Sequence, residues 1–288
     1  MEKRIDGKVL SDKIKDEIEL KVLEINEKFN KVPCLAVVII GNDPASEIYV
    51  KNKEKACKKC GIASLKYELD INTSEDDLIT LIEKLNNDDN VNGILIQLPL
   101  PEQINYKKII KIISPEKDVD CFSAYNTGNL FNGDFDFNKS ILPCTPKGCI
   151  KLIKSVLGNN LNGKKVCILG RSNIVGKPVF QLLLNENCTI KMLHSKSENI
   201  KDECLWADII VAAIGKPKFV TADMVKNGVV IIDVGINRSE SGICGDVDFD
   251  GVLDKAKYIT PVPGGVGPMT IACLMENVFN AFLKQNNF

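Results

Sequence analysis

The 288-residue chain lacks an excess of charge of either sign. Its 37 lysines and arginines are balanced by 38 aspartates and glutamates, so the formal net charge is −1. Nucleic-acid-binding proteins usually carry a basic excess, and proteins that lie on membrane surfaces usually carry a basic amphipathic helix. The sequence has neither feature, and we therefore expect no nucleic acid and no membrane among its partners.

Long hydrophobic runs are also missing. The N-terminus, MEKRIDGKVL, has no apolar stretch of the kind that a signal peptide needs. The longest apolar runs, such as LAVVII and IIVAAI, are far too short to cross a bilayer but suit buried parallel strands. These observations predict a cytoplasmic protein, and an apolar share of 44% is sufficient for a full core.

Histidine is almost absent, which limits metal chemistry. His194 is the one histidine of the chain, whereas cysteines number eleven and are scattered through predicted strands and helices. In a chain of this length without a signal peptide, such cysteines are typically reduced. The one C-x-x-C pair, Cys57 and Cys60, lies near a predicted helix end, and a zinc site would need two more ligands. We therefore expect inert thiols and no bound metal.

The chain does contain strands and helices in alternation, which predicts an α/β fold with parallel sheets. Residues 114–145 lack periodicity and are rich in Asp, Asn, Gly and Pro, which predicts a domain junction. From Lys164 the runs KVCIL, TIKML, DIIVAAI and GVVIID predict a second α/β unit, and an apolar helix at 269–282 is expected to return to the first. We thus predict one domain from residues 1–140 with 269–288, and another from residues 141–268.

The most informative segment is Val166–Pro178, VCILGRSNIVGKP, in which an apolar strand, a glycine turn and a helix follow one another. Such a turn directs backbone N–H groups and a helix N-terminus at a phosphate. An NAD-binding fold has an acidic residue about 20 positions later for the ribose 2′-OH, but here Ser195 follows the second strand. Together with Arg171 in the turn, this favours NADP over NAD. The alternative is an ordinary strand–helix turn with solvated polar residues.

A candidate catalytic lysine follows the first strand. Tyr49 and Lys53 are four residues apart, so they share one face of the predicted helix. A lysine beside an aromatic ring in a cleft can lose solvent, which lowers its pKa and makes it an acid or base near neutrality. The alternative is a solvated face, because the same helix carries several other lysines.

Three further segments have both a functional and a structural interpretation. Gln97 ends an apolar strand, so it points to the ligand crevice of a parallel sheet or pairs with loop backbone. Asp118 and Asp120 in KDVD could bind a metal, hold a heterocycle rich in hydrogen-bond donors, or cap turns. The segment PVPGGVGP at 261–268 permits close approach of backbone to a ligand, or is a loop that enters a helix.

Taken together, these segments resemble the bifunctional methylenetetrahydrofolate dehydrogenase/methenyltetrahydrofolate cyclohydrolase family. The resemblance covers nearly the whole chain, with the family's blocks in the family's order. The matching blocks are YVKNKEKACKKCGI, GILIQLPLP, SPEKDVDCFS, PCTPKG, GRSNIVGKPV, DVGIN, GDVDF and TPVPGGVGPMT.

The resemblance implies a role for each matching site residue. Lys53 is similar to the family's catalytic lysine, with Tyr49 stacking on the folate and Gln97 tuning the lysine, and Asp120 is similar to the carboxylate that anchors the pterin ring. The resemblance also implies that the folate pocket is lined by Leu98, Pro263 and Gly264. The NADP contacts that it implies are Gly170, Arg171, Ser172, Ser195 and Ile236. One departure is Cys121, where the family usually has glycine, and its side chain is expected to crowd the pterin edge.

The activity implied by the resemblance is the NADP-dependent oxidation of 5,10-methylenetetrahydrofolate to the methenyl compound and its hydrolysis to 10-formyltetrahydrofolate. It implies an N-terminal folate-binding catalytic domain, a Rossmann-type NADP-binding domain and a homodimer. Such an enzyme belongs to the one-carbon metabolism that supplies purine, histidine and methionine biosynthesis. Two alternatives remain at this point, an NAD-dependent dehydrogenase without the hydrolase activity and a non-catalytic folate or nucleotide sensor.

Overall fold

The computed structural model of the protein describes residues 3–41, 44–239 and 242–288, which divide into two compact units. The N-terminal unit contains residues 12–144 and 271–288. The central unit contains residues 3–11 and 145–270.

Helices and strands alternate along most of the described chain. The helices are α1 (Gly7–Phe29), α2 (Pro44–Lys59), α3 (Glu75–Asn86), α4 (Tyr106–Ile112), α5 (Ala124–Asn132), α6 (Cys144–Leu157), α7 (Gly176–Asn185), α8 (Ile200–Leu205), α9 (Phe249–Val252) and α10 (Val266–Asn286). The strands are β1 (Cys34–Ile40), β2 (Ala63–Leu69), β3 (Gly93–Ile96), β4 (Lys165–Leu169), β5 (Thr189–Leu193), β6 (Ile209–Ala212), β7 (Val229–Asp233), β8 (Asn237–Ser239), β9 (Gly242–Cys244) and β10 (Ala256–Ile259).

The N-terminal unit is built on a parallel three-stranded sheet with the order β2-β1-β3. Every residue of β1 and β3 is buried, as expected for strands covered on both faces. Helix α3 begins after Ser74, whose Oγ accepts a 3.1 Å hydrogen bond from the Asp77 N–H and so caps the helix. Most of α10 belongs to this unit, which confirms the predicted return of the C-terminal helix.

The central unit contains a parallel five-stranded sheet with the order β10-β7-β6-β4-β5. The chain runs from β4 to β5 on one side of β4 and then crosses to β6 on the other side. The direction of the strand order therefore reverses between β4 and β6. In open α/β sheets, ligands bind in the crevice at the carboxyl ends of the strands at such a point.

Residues 3–11, at the start of the described chain, group with the central unit, whereas the sequence predicted them in the N-terminal domain. Ile5 N–H donates a 2.8 Å hydrogen bond to the Ile259 carbonyl, and Ile259 N–H donates one of 2.9 Å to Lys3. These bonds add residues 3–5 to the edge of β10, an association between distant segments that local periodicity does not report. The division of the units falls after Cys144 and after Thr270 instead of after residues 140 and 268.

The predicted junction segment also differs from expectation, because most of it is ordered within the N-terminal unit and includes α5. Ser123 caps this helix by accepting a hydrogen bond from the Asn126 N–H, and Gly133 ends it at φ 73°. The helix was not predicted because Leu130 is its one buried residue, which leaves too little apolar periodicity to detect.

Helix α10 is long and apolar enough to cross a membrane by length and composition alone. However, 61% of its most apolar window is buried inside the protein. This burial is typical of a core helix, and it is the only such helix among the residues that the structure describes.

Candidate active site

A lysine and a glutamine meet at the carboxyl end of the sheet in the N-terminal unit. Gln97 directly follows β3, and its N–H donates a 2.8 Å hydrogen bond to the Val38 carbonyl of β1. Lys53 of α2 donates a 2.9 Å hydrogen bond from Nζ to Gln97 Oε1. Gln97 Nε2 donates to the Leu98 carbonyl at 2.8 Å, which fixes the amide with its oxygen toward the lysine.

Lys53 differs from the other lysines of α2 in its surroundings. Lys51, Lys55 and Lys58 are exposed, whereas Lys53 is only partly exposed. Burial lowers the pKa of Lys53, and the negative charge of Asp120 opposes part of this shift. The solvated-face interpretation therefore holds for the neighbouring lysines but not for Lys53.

Tyr49 lies one helical turn before Lys53 on α2. Its side chain is 42% exposed, so the ring is accessible next to the lysine. Positions four apart in a helix share a face, and the two side chains thus serve the same surface.

The two carboxylates of KDVD have different surroundings. Asp118 is buried and accepts hydrogen bonds from the N–H groups of Phe122 and Ser123, at 3.1 and 2.7 Å, and from Asn126 Nδ2 at 3.1 Å. The turn interpretation is therefore confirmed for Asp118, whose lone pairs stabilise the chain before α5.

Asp120 takes no such part in the turn. Burial raises the pKa of its carboxyl to about 6, and the positive charge of Lys53 opposes this shift while Asp118 adds to it. Cys144 Sγ donates to Asp120 Oδ1 at 3.9 Å. Asp120 and Lys53 thus influence each other electrostatically, and the structure brings together the three polar residues Lys53, Gln97 and Asp120.

Sequence reasoning missed two residues that hold the Asp120 segment. Asn277 of α10 is fully buried, and its Nδ2 donates to the Val119 carbonyl at 2.8 Å and to the Leu142 carbonyl at 2.7 Å. Cys144 Sγ also lies 3.5 Å from the Val119 carbonyl oxygen, which is the alternative acceptor for its one thiol proton. The available signals were a polar residue within the apolar α10 and a cysteine between two prolines in PCTPKG.

Cys121 has an unusual backbone conformation. Its φ is 61°, in the left-handed region that favours glycine, and its side chain is only 2% exposed. The glycine usual in the family at this position therefore has a conformational reason, and this chain accommodates a β-carbon there.

The glycine turn of the central unit is as tight as its spacing suggests. A β-carbon on Gly170, which has φ 114°, would lie 2.2 Å from the Ala213 carbonyl oxygen. A β-carbon on Gly176 would lie 2.2 Å from the Gly170 carbonyl oxygen. Ser172 Oγ accepts hydrogen bonds from the N–H groups of Val175 and Gly176, which stabilises the turn directly before α7.

Two exposed side chains lie at the carboxyl ends of neighbouring strands in the central sheet. Strands β4 and β5 are neighbours with Leu169 opposite Leu193. Arg171 follows β4 by two residues and Ser195 follows β5 by two residues, and both are exposed. A guanidinium and a hydroxyl beside a turn that only glycines can form suit a nucleotide with a 2′-phosphate. Ile236, which is 54% exposed, lies in the loop after β7.

The remaining predicted residues lie in two different units. Leu98 follows Gln97 in the N-terminal unit. Pro263 and Gly264 lie in the central unit, in the loop between β10 and α10. Gly264 has φ 105°, which is the left-handed conformation expected of glycine in a loop that approaches a ligand closely.

Two family models together match most of the chain. Residues 5–120 match the tetrahydrofolate dehydrogenase/cyclohydrolase catalytic domain. Residues 143–286 match the NAD(P)-binding domain of the same family. The chain belongs to the tetrahydrofolate dehydrogenase/cyclohydrolase family.

Individual members of the tetrahydrofolate dehydrogenase/cyclohydrolase family are similar to this chain in sequence or structure over nearly their full length. The bifunctional protein FolD of Agathobacter rectalis is 54% identical over 97% of this chain and 99% of that protein. The crystal structure of the bifunctional enzyme FolD from Campylobacter jejuni is 47% identical, covers 99% of both chains and superposes with a TM-score of 0.94. The Trypanosoma brucei dehydrogenase–cyclohydrolase, solved with NADP and an inhibitor, is 34% identical, covers 99% of this chain and 98% of its own, and has a TM-score of 0.93.

This tetrahydrofolate dehydrogenase/cyclohydrolase is a bifunctional enzyme with NADP as its cofactor. It oxidises methylenetetrahydrofolate and hydrolyses the methenyl product. The predicted fold class, two α/β domains of which one binds the nucleotide, is confirmed.

Proposed function

We propose that Lys53 carries protons in this chemistry and that Gln97 holds its amine in place. The observation that carries the proposal is the 2.9 Å hydrogen bond from Lys53 Nζ to Gln97 Oε1. Because burial lowers the pKa of Lys53, a larger share of its amine is neutral near pH 7 than in an exposed lysine. A neutral amine can accept a proton and return it, as a general acid–base requires.

In the hydrolysis, water adds to the carbon between N5 and N10 of the methenyl substrate while Lys53 Nζ takes one water proton. The bond from this carbon to N5 then breaks, and Lys53 returns the proton to N5. The remaining hydroxyl proton leaves to solvent as the formyl group stays on N10. One methenyl cation and one water thus give one 10-formyl product and one proton.

In the oxidation, NADP supplies the acceptor for the hydride that leaves the methylene carbon. Positive charge then develops between N5 and N10 of the folate. Lys53 in its neutral form does not repel this charge, and the nearby Asp120 carboxylate favours it. The same pair of side chains therefore suits both reactions.

Asp120 is proposed to anchor the pterin ring. A carboxylate can accept two hydrogen bonds from the amino and ring N–H groups of an aminopyrimidine edge. With a pKa of about 6, Asp120 is mostly ionised at neutral pH and able to accept both.

The remaining ligand contacts are proposed from the family resemblance and from their exposure. Tyr49 stacks on the folate, and Leu98, Pro263 and Gly264 line the folate pocket. The NADP contacts are Gly170, Arg171, Ser172, Ser195 and Ile236. The tight turn formed by Gly170 and Gly176 supports this assignment, because their backbone can approach a pyrophosphate closely.

We also propose that the enzyme is a cytoplasmic homodimer that binds neither nucleic acid nor membrane. The balanced charge and the burial of α10 support the part of this proposal that concerns nucleic acid and membrane, and the family resemblance supports the homodimer. Catalysis and folate binding are assigned to the N-terminal unit and NADP binding to the central unit.

An absorbance assay for the methenyl product, run with NADP and with NAD, tests the proposal together with hydrolysis of preformed methenyl substrate. We expect turnover with NADP preferred and hydrolysis present. Turnover with NAD alone and no hydrolysis would favour the monofunctional dehydrogenase. Absence of any turnover with the folate still bound would favour a sensor.

A further inference from the structure

The loop that follows β6 is held by a single buried carboxylate. Asp246 Oδ2 accepts hydrogen bonds from the backbone N–H groups of Ile214 and Gly215, at 2.7 and 2.9 Å. Asp246 Oδ1 accepts from the Lys216 N–H at 2.9 Å and from Asn237 Nδ2 at 2.8 Å. Three consecutive amides are therefore turned toward one side chain, which is itself fully buried.

A second carboxylate fixes the first. Asp233, at the end of β7, accepts hydrogen bonds from the N–H groups of Asp246 at 2.9 Å and of Val247 at 3.0 Å. It is 3% exposed, and its own N–H donates to Thr260 Oγ1 at 2.7 Å. The backbone of Asp246 is thus tied to β7 while its side chain is tied to the loop after β6.

This pair of carboxylates accounts for the glycines at two positions, Gly235 in DVGIN and Gly245 in GDVDF. A β-carbon on Gly235 would lie 2.3 Å from Asp246 Oδ1, and one on Gly245 would lie 1.8 Å from Asp233 Oδ2. Only glycine leaves room for the carboxylates at these positions. Both segments therefore take part in the packing of Asp233 and Asp246, which the proposed catalytic roles do not explain.

The loop held by Asp246 lies at the crevice of the central sheet. It leaves β6, which neighbours β4 at the point where the strand order reverses. The Ala213 carbonyl at its start is so close to the glycine turn that a β-carbon on Gly170 would lie 2.2 Å away. Dinucleotides bind in this crevice, so the loop and the glycine turn face the same ligand.

We propose that Asp246 is a positioning residue for NADP, which holds the loop of Ile214, Gly215 and Lys216 in the conformation that the bound cofactor requires. Hydrogen bonds to a charged acceptor contribute more to stability than those to a neutral one, so the loss of the carboxylate frees these three N–H groups from this conformation. Asp246 does not touch the reacting atoms and acts through the backbone of the loop.

The test compares Asp246→Asn with Asp248→Asn, the same change two residues later at a side chain with no hydrogen bond to this loop. Hydrogen exchange of the amides at 214–216 is measured in the absence of ligands, and the NADP dissociation constant by calorimetry. We expect Asp246→Asn to lose amide protection and to weaken NADP binding about tenfold or more. The folate dissociation constant should change less than twofold, and the control should match the wild type.

Two results would overturn the proposal. Unchanged protection at 214–216 in Asp246→Asn would mean that the carboxylate does not hold the loop. Lost protection with unchanged NADP affinity and kcat would mean that the cofactor does not need the loop. If Asp246→Asn does not fold, an NMR titration of the wild-type enzyme with NADP replaces it. Amide signals of residues 214–216 that do not shift on NADP binding would contradict the proposal. Shifts elsewhere in the same titration verify that NADP binds.

Discussion

Lys53 Nζ lies 2.9 Å from Gln97 Oε1, and the amide that accepts this hydrogen bond is itself fixed by the carbonyl of Leu98. The lysine is thus held by a group that carries no charge. A neutral acceptor leaves the pKa of Lys53 under the control of burial, which lowers it. A carboxylate in the place of Gln97 would raise this pKa and keep the lysine protonated.

The substitution Lys53→Met is expected to abolish hydrolysis while folate and NADP still bind. Methionine replaces the alkyl stem but cannot carry a proton, and loss of a general acid–base costs about 100-fold or more in rate. Hydrolysis of methenyltetrahydrofolate is measured beside both dissociation constants, with the exposed Lys55→Met as control. Normal hydrolysis by Lys53→Met would contradict the assigned role.

The substitution Asp120→Ala is expected to weaken folate binding far more than NADP binding. Two pterin donors lose their acceptor, and each buried unpaired donor costs about 1–3 kcal/mol, or roughly one to two decades of affinity. Calorimetry with each ligand checks this expectation. An equal loss for both ligands would indicate that Asp120 instead supports the fold.

The carboxyl of Asp120 also predicts a pH dependence of stability. Its pKa is raised to about 6, so the native state binds this proton more tightly than the unfolded state, whose carboxyl has a pKa near 3.8. The contribution of Asp120 to the free energy of unfolding therefore becomes more favourable as the pH falls from above 6 to below 4. Asp120→Asn removes the unfavourable burial of charge, and we expect it to stabilise the ligand-free protein at pH 8 but not at pH 4.

Urea unfolding of the wild type and Asp120→Asn at both pH values measures this difference. The exposed Glu102→Gln, which removes one carboxylate from the surface, serves as the matched control. A gain for Asp120→Asn that is equal at both pH values would contradict the linkage. The comparison with the wild type also cancels the contribution of Asp233, whose pKa burial raises to about 6 as well.

The conformation of Cys121 predicts that a glycine at this position gives a more stable protein than an alanine, which is the reverse of the usual order. Cys121→Ala and Cys121→Gly both remove the sulfur, but alanine keeps a β-carbon at φ 61°. The left-handed conformation costs a residue with a β-carbon about 1–2 kcal/mol, so the glycine variant should be more stable by about 1 kcal/mol. Chemical denaturation of both variants measures this, and a more stable alanine variant would show that the strain is absent.

The segment around Gly170 could be predicted from sequence because its signals are local. An apolar run, two glycines and a following helix fix the strand, the turn and the start of α7 within thirteen residues. Lys53 was recognised by its family block, but its spacing alone did not separate it from Lys55, since burial is decided by tertiary packing.

Other features depend on contacts between distant segments and left no local signal. The pairing of Ile5 with Ile259 joins the start of the chain to an edge strand across more than 250 positions. The hydrogen bonds from Asp246 to the loop after β6 join residues about thirty positions apart. Both arise from tertiary packing, which overrides local pattern, and neither could be read from periodicity.

The last prediction concerns cofactor choice. Arg171 lies in the glycine turn after β4, and Ser195 follows the adjacent strand β5. Both residues therefore lie at the carboxyl end of the sheet. A hydrogen bond from a charged group to the adenosine 2′-phosphate is worth about one to two decades of affinity. Arg171→Ala should therefore raise the KM for NADP by about 10- to 100-fold and change that for NAD little. Ser195→Asp should lower the preference for NADP further, because a carboxylate repels the phosphate and accepts a hydrogen bond from a free 2′-OH. The ratio of kcat/KM with NADP to that with NAD is measured for the wild type and both variants, with Lys177→Ala at the second residue of α7 as a control. An Arg171→Ala enzyme with an unchanged ratio would show that the phosphate is held by other groups.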